Sequence, residues 1–322
     1  MEGVNVGVLA PHTGFAAGPD ALRSVAEAAE ALGFDSLWCG DHVLLPEEQE
    51  SVYPYGGNDK DDSYEVPPDR PFLEPMSVLS YLAAVTHRLR LGVSVAILPY
   101  RSPALWGKTI GTVNLLARGR FVLGAGVGWL AEEFAALGSD FGSRGRRVDE
   151  TLRFLRDTWA TDGPISFEGE FISVPGMYLN PARGHDAPPP VWVGGNGAPA
   201  LRRTARYGDV WHPHVRGTTP EALAEGLDRI RSLAADERTD ATFGAALHCP
   251  LVLAERAGGD PWDIGRLEGP VEHVADLLHR YRDAGLTDVV LTFGGSAGRR
   301  IALLEHLAEG LSLSTQQQPV QA

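Results

Sequence analysis

The chain has few cysteines and no long apolar run. Only Cys39 and Cys249 occur among the 322 residues, and each lies inside an apolar stretch, so buried free thiols are favoured over a disulfide. No apolar run approaches the roughly 20 residues that cross a bilayer. The start of the chain, Met1 followed by Glu2, lacks the basic residues and cleavage pattern of a signal peptide. We therefore expect a cytoplasmic protein.

Positive charge is also scarce. The chain has 28 Lys and Arg against 42 Asp and Glu, which gives a formal net charge of -14. No basic field surrounds such a molecule, so nucleic acid and anionic membrane are excluded as expected partners. The content of 43% hydrophobic and 22% charged residues is ordinary for a folded domain. A single large α/β unit accommodates this length.

Short apolar segments alternate with segments of helical periodicity along the chain. Eight apolar segments are typical of buried parallel strands: 4–9, 36–39, 89–98, 121–125, 191–193, 210–212, 243–253 and 288–293. Eight helical segments follow them in turn: 19–31, 74–86, 103–116, 147–158, 198–207, 220–235, 270–284 and 299–311. This order predicts an α/β fold, a closed (β/α)8 TIM barrel over residues 1–311. An open doubly wound sheet is the alternative, since alternation alone does not show closure.

Three polar or irregular stretches do not fit a bare barrel. They are residues 41–72, rich in Pro, Gly, Asp and Tyr; residues 165–178, which alternate like a hairpin; and residues 255–269. Because strand-to-helix loops carry function in barrel enzymes, we expect all three at the carboxyl ends of the strands. The polar tail 312–322 is predicted to be disordered.

Asp41 and His42 follow the second predicted strand directly, which places them at the carboxyl end of the barrel. The ordinary pKa of histidine, near 6.5, suits His42 to proton transfer or to a hydrogen bond with a developing negative charge. The alternative is a loop-capping aspartate beside a surface histidine. Glu132 and Glu133 lie in a helical stretch nearby; they could act as acids, but a solvated helix face is the expected position.

Two glycine-rich turns are candidates for binding a cofactor. Gly126, Val127, Gly128 and Trp129 follow the fourth strand, and Gly194, Gly195 and Asn196 follow the fifth strand just before a helix. Backbone amides at such turns approach a flat ring or a phosphate, and the start of a helix favours an anion. Close packing of strands and helices, or a flexible loop, would explain the same glycines. Arg101 and Arg202 are candidates for holding an anionic tail.

A cluster of histidines allows an alternative from another class. His12, His42, His212 and His214, with Asp41, could bind a metal at the barrel mouth, as in a metal-dependent TIM-barrel hydrolase. No Lys or Asp is placed at the ends of the fourth and eighth strands to complete a two-metal site, so we assign no metal ligands. A non-catalytic binding barrel is a third possibility.

Many motifs in order give the chain a resemblance to a known family. They are Gly33 to Trp38 with Asp41 and His42, Glu74 with Pro75, Leu82 to Thr86, Leu91 to Val95, Leu98 to Pro103, Gly119 to Trp129, Glu132 to Phe134, Pro190 to Gly195 and Gly208 to Pro213. Over nearly its whole length the sequence resembles the luciferase-like monooxygenase superfamily, and within it the branch of oxidoreductases that use the deazaflavin coenzyme F420.

The resemblance implies a cofactor and an activity. It implies hydride transfer between coenzyme F420 and a small organic substrate, in a protein that forms a homodimer. It also implies a cis peptide between Ser94 and Val95 that supports the cofactor ring, with the two glycine turns at its phosphate and tail and with Asp41 and His42 at its reactive edge. An FMN-dependent two-component monooxygenase of the same fold is the nearest alternative. Sugar-phosphate dehydrogenases of the superfamily carry a glutamate where Trp129 stands, which argues against that substrate.

Overall fold

The computed structural model describes residues 1, 3–56, 68–236 and 238–313. The strands in this part of the chain are β1 (Asn5–Leu9), β2 (Ser36–Cys39), β3 (Arg90–Ile97), β4 (Phe121–Gly126), β5 (Ile165–Glu168), β6 (Ser173–Met177), β7 (Val191–Gly194), β8 (Val210–His212), β9 (Gly244–Leu253), β10 (Leu267–Gly269) and β11 (Leu286–Thr292).

Eight of these strands form a closed parallel barrel. Neighbours pair in the order β9, β11, β1, β2, β3, β4, β7, β8, and a further pairing between β8 and β9 closes the sheet. All of these pairings are parallel. The predicted (β/α)8 barrel is therefore confirmed, and the open sheet is not observed. In such a barrel the carboxyl ends of all eight strands meet at one mouth.

Helices connect the strands and cover the outside of the barrel. They are α1 (Pro19–Ala31), α2 (Pro75–Val85), α3 (Pro103–Leu116), α4 (Ala131–Ala136), α5 (Arg144–Trp159), α6 (Ala198–Tyr207), α7 (Pro220–Ala234), α8 (Pro261–Ile264), α9 (Val271–Asp283) and α10 (Ala297–Gly310). Several begin with a side-chain cap and a proline in the first turn, as for Ser102 before α3 and Thr219 before α7. Such caps satisfy backbone N–H groups that a helix start leaves unpaired.

The barrel interior is filled by side chains from opposite strands. Trp38 of β2 packs against Trp192 of β7 with ring centres 4.5 Å apart, and Val122, Ala246 and Val290 complete this inner cluster. The indole N–H of Trp38 donates to Ser36 Oγ at 2.8 Å, so the buried ring keeps a hydrogen-bond partner. A larger apolar cluster lies between the strands and the helices. Side chains thus fill the barrel interior, and this packed layer lies beneath the mouth of the barrel.

The insertions differ in where they join the barrel. The predicted hairpin is present, since β5 and β6 pair antiparallel. We expected it at the carboxyl ends of the strands, but it connects the end of α5 to the start of β7, because it follows a helix and precedes a strand. The insertion after β9 does follow a strand, and it contains α8 and β10, which pairs with β9. Residues 57–67 of the first insertion and 314–322 of the tail lie outside the described residues.

Candidate active site

The carboxyl ends of six barrel strands surround a cavity of about 200 Å³. Its lining comes from the ends of β2, β3, β4, β7, β8 and β9 and from the insertion after β2: Gly40, Asp41, His42, Tyr53, Pro54, Tyr55, Ser94, Val95, Ile97, Gly126, Val127, Gly128, Trp129, Gly194, Gly195, His212, His214 and His248. Both predicted catalytic residues and all the predicted cofactor-binding residues except Asn196 line this cavity, whereas Arg101 and Arg202, the candidates for an anionic tail, do not. Residues far apart in sequence therefore meet at one place.

Val95 forms the floor of the cavity between the two glycine turns. The Ser94–Val95 peptide is cis, as the resemblance implied. A Cβ on Gly126 would lie 2.2 Å from Val95 Cγ2, and a Cβ on Gly194 would lie 3.0 Å from Val95 Cγ1. Glycine is required at Gly126 because any side chain there would displace Val95. The packing explanation thus accounts for these glycines, and the same packing places a branched apolar side chain under the cavity.

The turn before α6 directs a backbone amide towards Tyr55, one of the residues that line the cavity. Asn196 N donates to the phenol oxygen of Tyr55 at 3.3 Å. The Asn196 side chain holds the chain after β8 instead: its Nδ2 donates to the carbonyl oxygens of His214 and Arg216, and its Oδ1 accepts from His214 N. This amide, close to the start of a ten-residue helix, favours an oxygen atom of negative character. The Tyr55 hydroxyl takes that place in this structure.

His42 is bound to a buried glutamate. Its Nδ1 lies 2.7 Å from Glu133 Oε2, and Glu133 is only 1% exposed. The other carboxylate oxygen accepts from the amides of Val43 and Leu44, and the Tyr100 hydroxyl donates to Oε2 at 2.8 Å. Our prediction of a solvated helix face for Glu133 was wrong, because the chain after β2 folds over α4. Because Glu133 binds Nδ1, Nε2 is the ring nitrogen of His42 that is left for the cavity, which His42 lines.

The surroundings of Glu133 keep it ionised. Burial alone would raise the pKa of this carboxyl group, but the hydrogen bond and charge of His42 and the amides of Val43 and Leu44 lower it below its usual value. The pKa of Tyr100 is raised, chiefly by burial and by the neighbouring carboxylate, so its hydroxyl stays protonated and donates. An ionised Glu133 requires a proton on His42 Nδ1, which fixes the orientation of the imidazole.

Asp41 is engaged by protein groups on both oxygens. Arg101 binds it with two hydrogen bonds of 2.8 and 2.9 Å, and Ile97 N donates to it at 2.9 Å. Although burial would lower the pKa of Arg101, its bonds to Asp41 raise it, so the guanidinium stays charged. Arg101 also contacts Glu74. The proposed use of Arg101 for an anionic tail is therefore not supported, since two carboxylates already hold it.

Three residues below the cavity form a hydrogen-bonded chain. His212 Nδ1 lies 2.5 Å from the carbonyl oxygen of Ala246, and its Nε2 lies 2.8 Å from Ser94 Oγ. Ser94 Oγ is also 3.1 Å from His248 Nδ1. Burial lowers the pKa of His212 to about 4 and the pKa of His248 well below its usual value. Both imidazoles are therefore neutral at physiological pH.

The histidines do not assemble into a metal site. Both ring nitrogens of His12 have protein partners, the Ala10 carbonyl and Gly40 N, at 2.9 and 2.8 Å. His212 is likewise bonded through both nitrogens. Across residues 1, 3–56, 68–236 and 238–313, no three His, Cys, Asp or Glu side chains are grouped so that they could hold a metal ion. The hydrolase alternative thus lacks its ligand set in this part of the chain.

Aromatic rings form the outer wall of the cavity. Tyr53 packs edge-on against Trp129 at 5.2 Å, and Tyr55 stacks on His214 at 4.8 Å. Phe72, which is not among the lining residues, packs edge-on against His42 at 5.3 Å. Neither tyrosine was singled out from the sequence, because the insertion has no pattern that marks single residues. His248 and Glu133 were missed as well. A histidine within the apolar strand β9 was the one available signal for His248.

Fold and site together define an α/β-barrel with a cavity at the carboxyl ends of its strands. Residues 4–257 match the family model described as luciferase-like monooxygenase. The chain belongs to this family. In the described residues, no helix has both the length and the apolar character needed to span a membrane.

Two relatives and two solved structures illustrate the similarity. A protein of Mycobacterium tuberculosis described as uncharacterised is 33% identical over 84% of this chain and 83% of its own length. A phthiodiolone/phenolphthiodiolone dimycocerosates ketoreductase of the same species is 35% identical over 68% of this chain and 57% of its own length. An F420-dependent secondary alcohol dehydrogenase in complex with an F420-acetone adduct has a TM-score of 0.73 at 15% identity, covering 96% of this chain and 99% of that one. A monooxygenase from Streptomyces bottropensis has a TM-score of 0.74 at 19% identity, with the same coverage.

Proposed function

We propose that the protein is an oxidoreductase that binds the deazaflavin coenzyme F420 at the barrel mouth and exchanges hydride with a small organic substrate. The observation that carries the proposal is the His42–Glu133 pair, which lies on the same cavity as the Val95 floor. A protein that uses such a cofactor supplies binding, orientation and electrostatics around its ring, and we propose that Val95 supports the ring while His42 transfers a proton at its edge.

The residues present suit a flat ring with an anionic tail. Ser94 and Val95 would lie beneath the ring, with Gly126, Val127, Gly128 and Trp129 along one side. Gly194, Gly195 and the Asn196 amide would lie at the tail, where the amide now donates to a neutral phenol oxygen. When bound, the deazaflavin supplies the two-electron hydride chemistry.

His42 is the group that moves the proton. Glu133 holds Nδ1–H, so Nε2 is the atom that gives or takes a proton at the substrate. Reduction of a carbonyl group or an activated double bond needs one proton beside the hydride, and in this proposal His42 provides that proton. We propose that Asp41 has a positioning role. Its carboxylate accepts from Arg101 and from Ile97 N, which holds the carboxyl ends of β2 and β3 together.

The names of the relatives point to a class of substrate. One is a ketoreductase, and one structural neighbour is a secondary alcohol dehydrogenase. We therefore propose a ketone, an alcohol or an activated alkene as substrate. A homodimer in the cytoplasm, with no nucleic acid or membrane partner, stays our prediction for the assembly.

The second candidate is an FMN-dependent two-component monooxygenase. The name of the family and the neighbour from Streptomyces bottropensis favour it. It would use the same cavity, with FMN in place of the deazaflavin and oxygen as co-substrate.

Titration with each cofactor separates the two candidates. We expect saturable micromolar binding of coenzyme F420, followed by the cofactor's fluorescence, and much weaker binding of FMN. Gly126→Ala should abolish binding, because its methyl group would displace Val95. Gly298→Ala, whose Cβ meets nothing within 4 Å, is the matched control and should bind normally. Saturable binding of FMN alone would replace our proposal with the monooxygenase.

A further inference from the structure

We propose that His214 and His248 form a fixed donor–acceptor pair that recognises the edge of a planar ligand in which an N–H stands beside a C=O, as in an imide or a lactam. His214 Nε2 would donate to the ligand carbonyl, and His248 Nε2 would accept from the ligand N–H. The assignment of this ligand edge to the cofactor rests on the function proposed above. The assignment of donor and acceptor to the two histidines rests on hydrogen-bond geometry alone.

The direction of each bond follows from an atom that can only accept. The Ala246 carbonyl must accept, so His212 Nδ1 carries the proton and, in the neutral ring, Nε2 is bare. Ser94 then gives its single proton to His212 Nε2. Ser94 Oγ has only lone pairs left for His248, so His248 Nδ1 carries a proton and its Nε2 is an acceptor.

His214 has the opposite tautomer. Its Nδ1 accepts from the backbone N–H of Arg216 at 3.0 Å. A neutral imidazole with Nδ1 bare carries its proton on Nε2. Burial lowers the pKa of His214 to about 3, so the ring remains neutral and Nε2 is a donor at any physiological pH.

The two rings are stacked at a small angle beside the cavity. Their centres are 5.4 Å apart with an interplanar angle of 29°, and both residues line the cavity. Within the described part of the chain, neither Nε2 has a hydrogen-bond partner, and neither is sealed inside the protein as an orphaned polar atom. Because both atoms are accessible from the cavity and have no partner in the described protein, a ligand that pairs with both gains two hydrogen bonds.

The pair selects for an edge that presents an acceptor next to a donor. A carboxylate offers only acceptors and an ammonium group only donors, so each would satisfy one histidine and oppose the other. The pyrimidinedione ring of a deazaflavin carries N3–H between two carbonyl groups, and an amide-bearing substrate carries the same chemistry. Experiments distinguish whether the cofactor or a substrate supplies the edge that the two histidines bind.

The cofactor source is tested with coenzyme F420 and its N3-methyl derivative, which cannot donate. On wild-type protein we expect methylation to weaken binding by about fivefold or more, the value of one hydrogen bond. His248→Phe should bind both forms with equal affinity, because the acceptor is gone. His214→Phe should weaken both forms and keep their ratio.

The substrate source is tested with 2-pyrrolidinone and N-methyl-2-pyrrolidinone, followed by the ¹⁵N shifts of the histidine rings. Equal binding of the two cofactor forms, with a preference for 2-pyrrolidinone that His248→Phe removes, would assign the pair to substrate. Equal binding in both series would overturn the proposal. If coenzyme F420 does not bind at all, the proposed function fails, and the lactam series still decides the pair.

The tautomers are measurable without any ligand or variant. Imidazole ¹⁵N spectra of the wild-type protein should show His214 protonated on Nε2 and His248 protonated on Nδ1, unchanged between pH 6 and 8. The same tautomer at both residues, or a titration in this range, would overturn the proposal even if the phenylalanine variants fail to fold.

Discussion

The two sides of the barrel mouth use the same residue type in different ways. On the side of β2 and β4, His42 faces an ionised carboxylate that lies on α4. On the side of β8 and β9, the ring nitrogens of His212 and His248 are hydrogen-bonded to Ser94 Oγ and the Ala246 carbonyl oxygen, and among the described residues no carboxylate hydrogen-bonds either ring. A carboxylate supports a charged imidazole, whereas burial without one keeps it neutral. The first side can move protons, and the second can only present fixed hydrogen bonds.

The largest expected effect comes from replacing the histidine on the charged side. His42→Asn should lower kcat by about 10²- to 10⁴-fold, the usual contribution of a general acid or base. Cofactor affinity should change little, since the floor and the glycine turns are intact. Steady-state kinetics and cofactor titration measure the two quantities. Unchanged turnover would remove His42 from the chemistry, and the exposed His306→Asn serves as control.

A smaller effect should follow from removing the charge beside that histidine. Glu133→Gln keeps the shape but loses the negative charge, so we expect kcat to fall by about 10- to 100-fold. Tyr100→Phe, which removes only one donor to Glu133, should lower kcat much less. Equal turnover in Glu133→Gln and in the wild type would show that the charge of Glu133 does not act on the reaction.

The neutral side predicts how stability depends on pH. The folded pKa values of His212, about 4, and His214, about 3, lie below the ordinary value near 6.5. As pH falls below about 6.5, the unfolded chain binds protons before the folded protein does. The contribution of each histidine to the free energy of unfolding is therefore complete above this pH. It decreases by about 1.4 kcal/mol per pH unit until the pH reaches the folded pKa.

Urea unfolding between pH 7 and 4.5 measures this slope. His214→Phe should reduce it by about one proton, and His306→Asn should leave it unchanged. A slope that is the same in all three proteins would show that the His214 imidazole is not neutral in the folded state. Glu133 behaves differently, since its lowered pKa means that its contribution is lost only at still lower pH.

The fold was predictable because its signals are local. Short apolar segments such as 36–39 and 191–193 alternate with helical segments, and the structure confirms this order. Most of the site was predictable for the same reason, since residues that follow parallel strands meet at one end. Asp41, His42 and both glycine turns were identified in this way. One short helix, α4, was recognised only as a helical stretch.

The remainder depends on contacts between distant parts of the chain. Glu133 looked solvated because nothing near it in sequence shows that residues 43 and 44 donate to its carboxylate. Tyr55 reaches the Asn196 amide across 141 positions. The tautomers of His214 and His248 depend on which atoms face them, and a sequence does not contain that information. Periodicity predicts elements, but side-chain partners follow only from their assembly.

The packing of Val95 against two glycines has a consequence for which substitutions this cavity accepts. Gly126 and Gly194, on two neighbouring strands, pack against the Val95 side chain. Because neither glycine has a Cβ, they determine how far that side chain extends into the cavity. The depth of the slot above it is therefore controlled by backbone positions in β4 and β7 as well as by the residue that forms its base. Altering that depth requires paired changes, in which a smaller side chain at Val95 accompanies a larger one at Gly126.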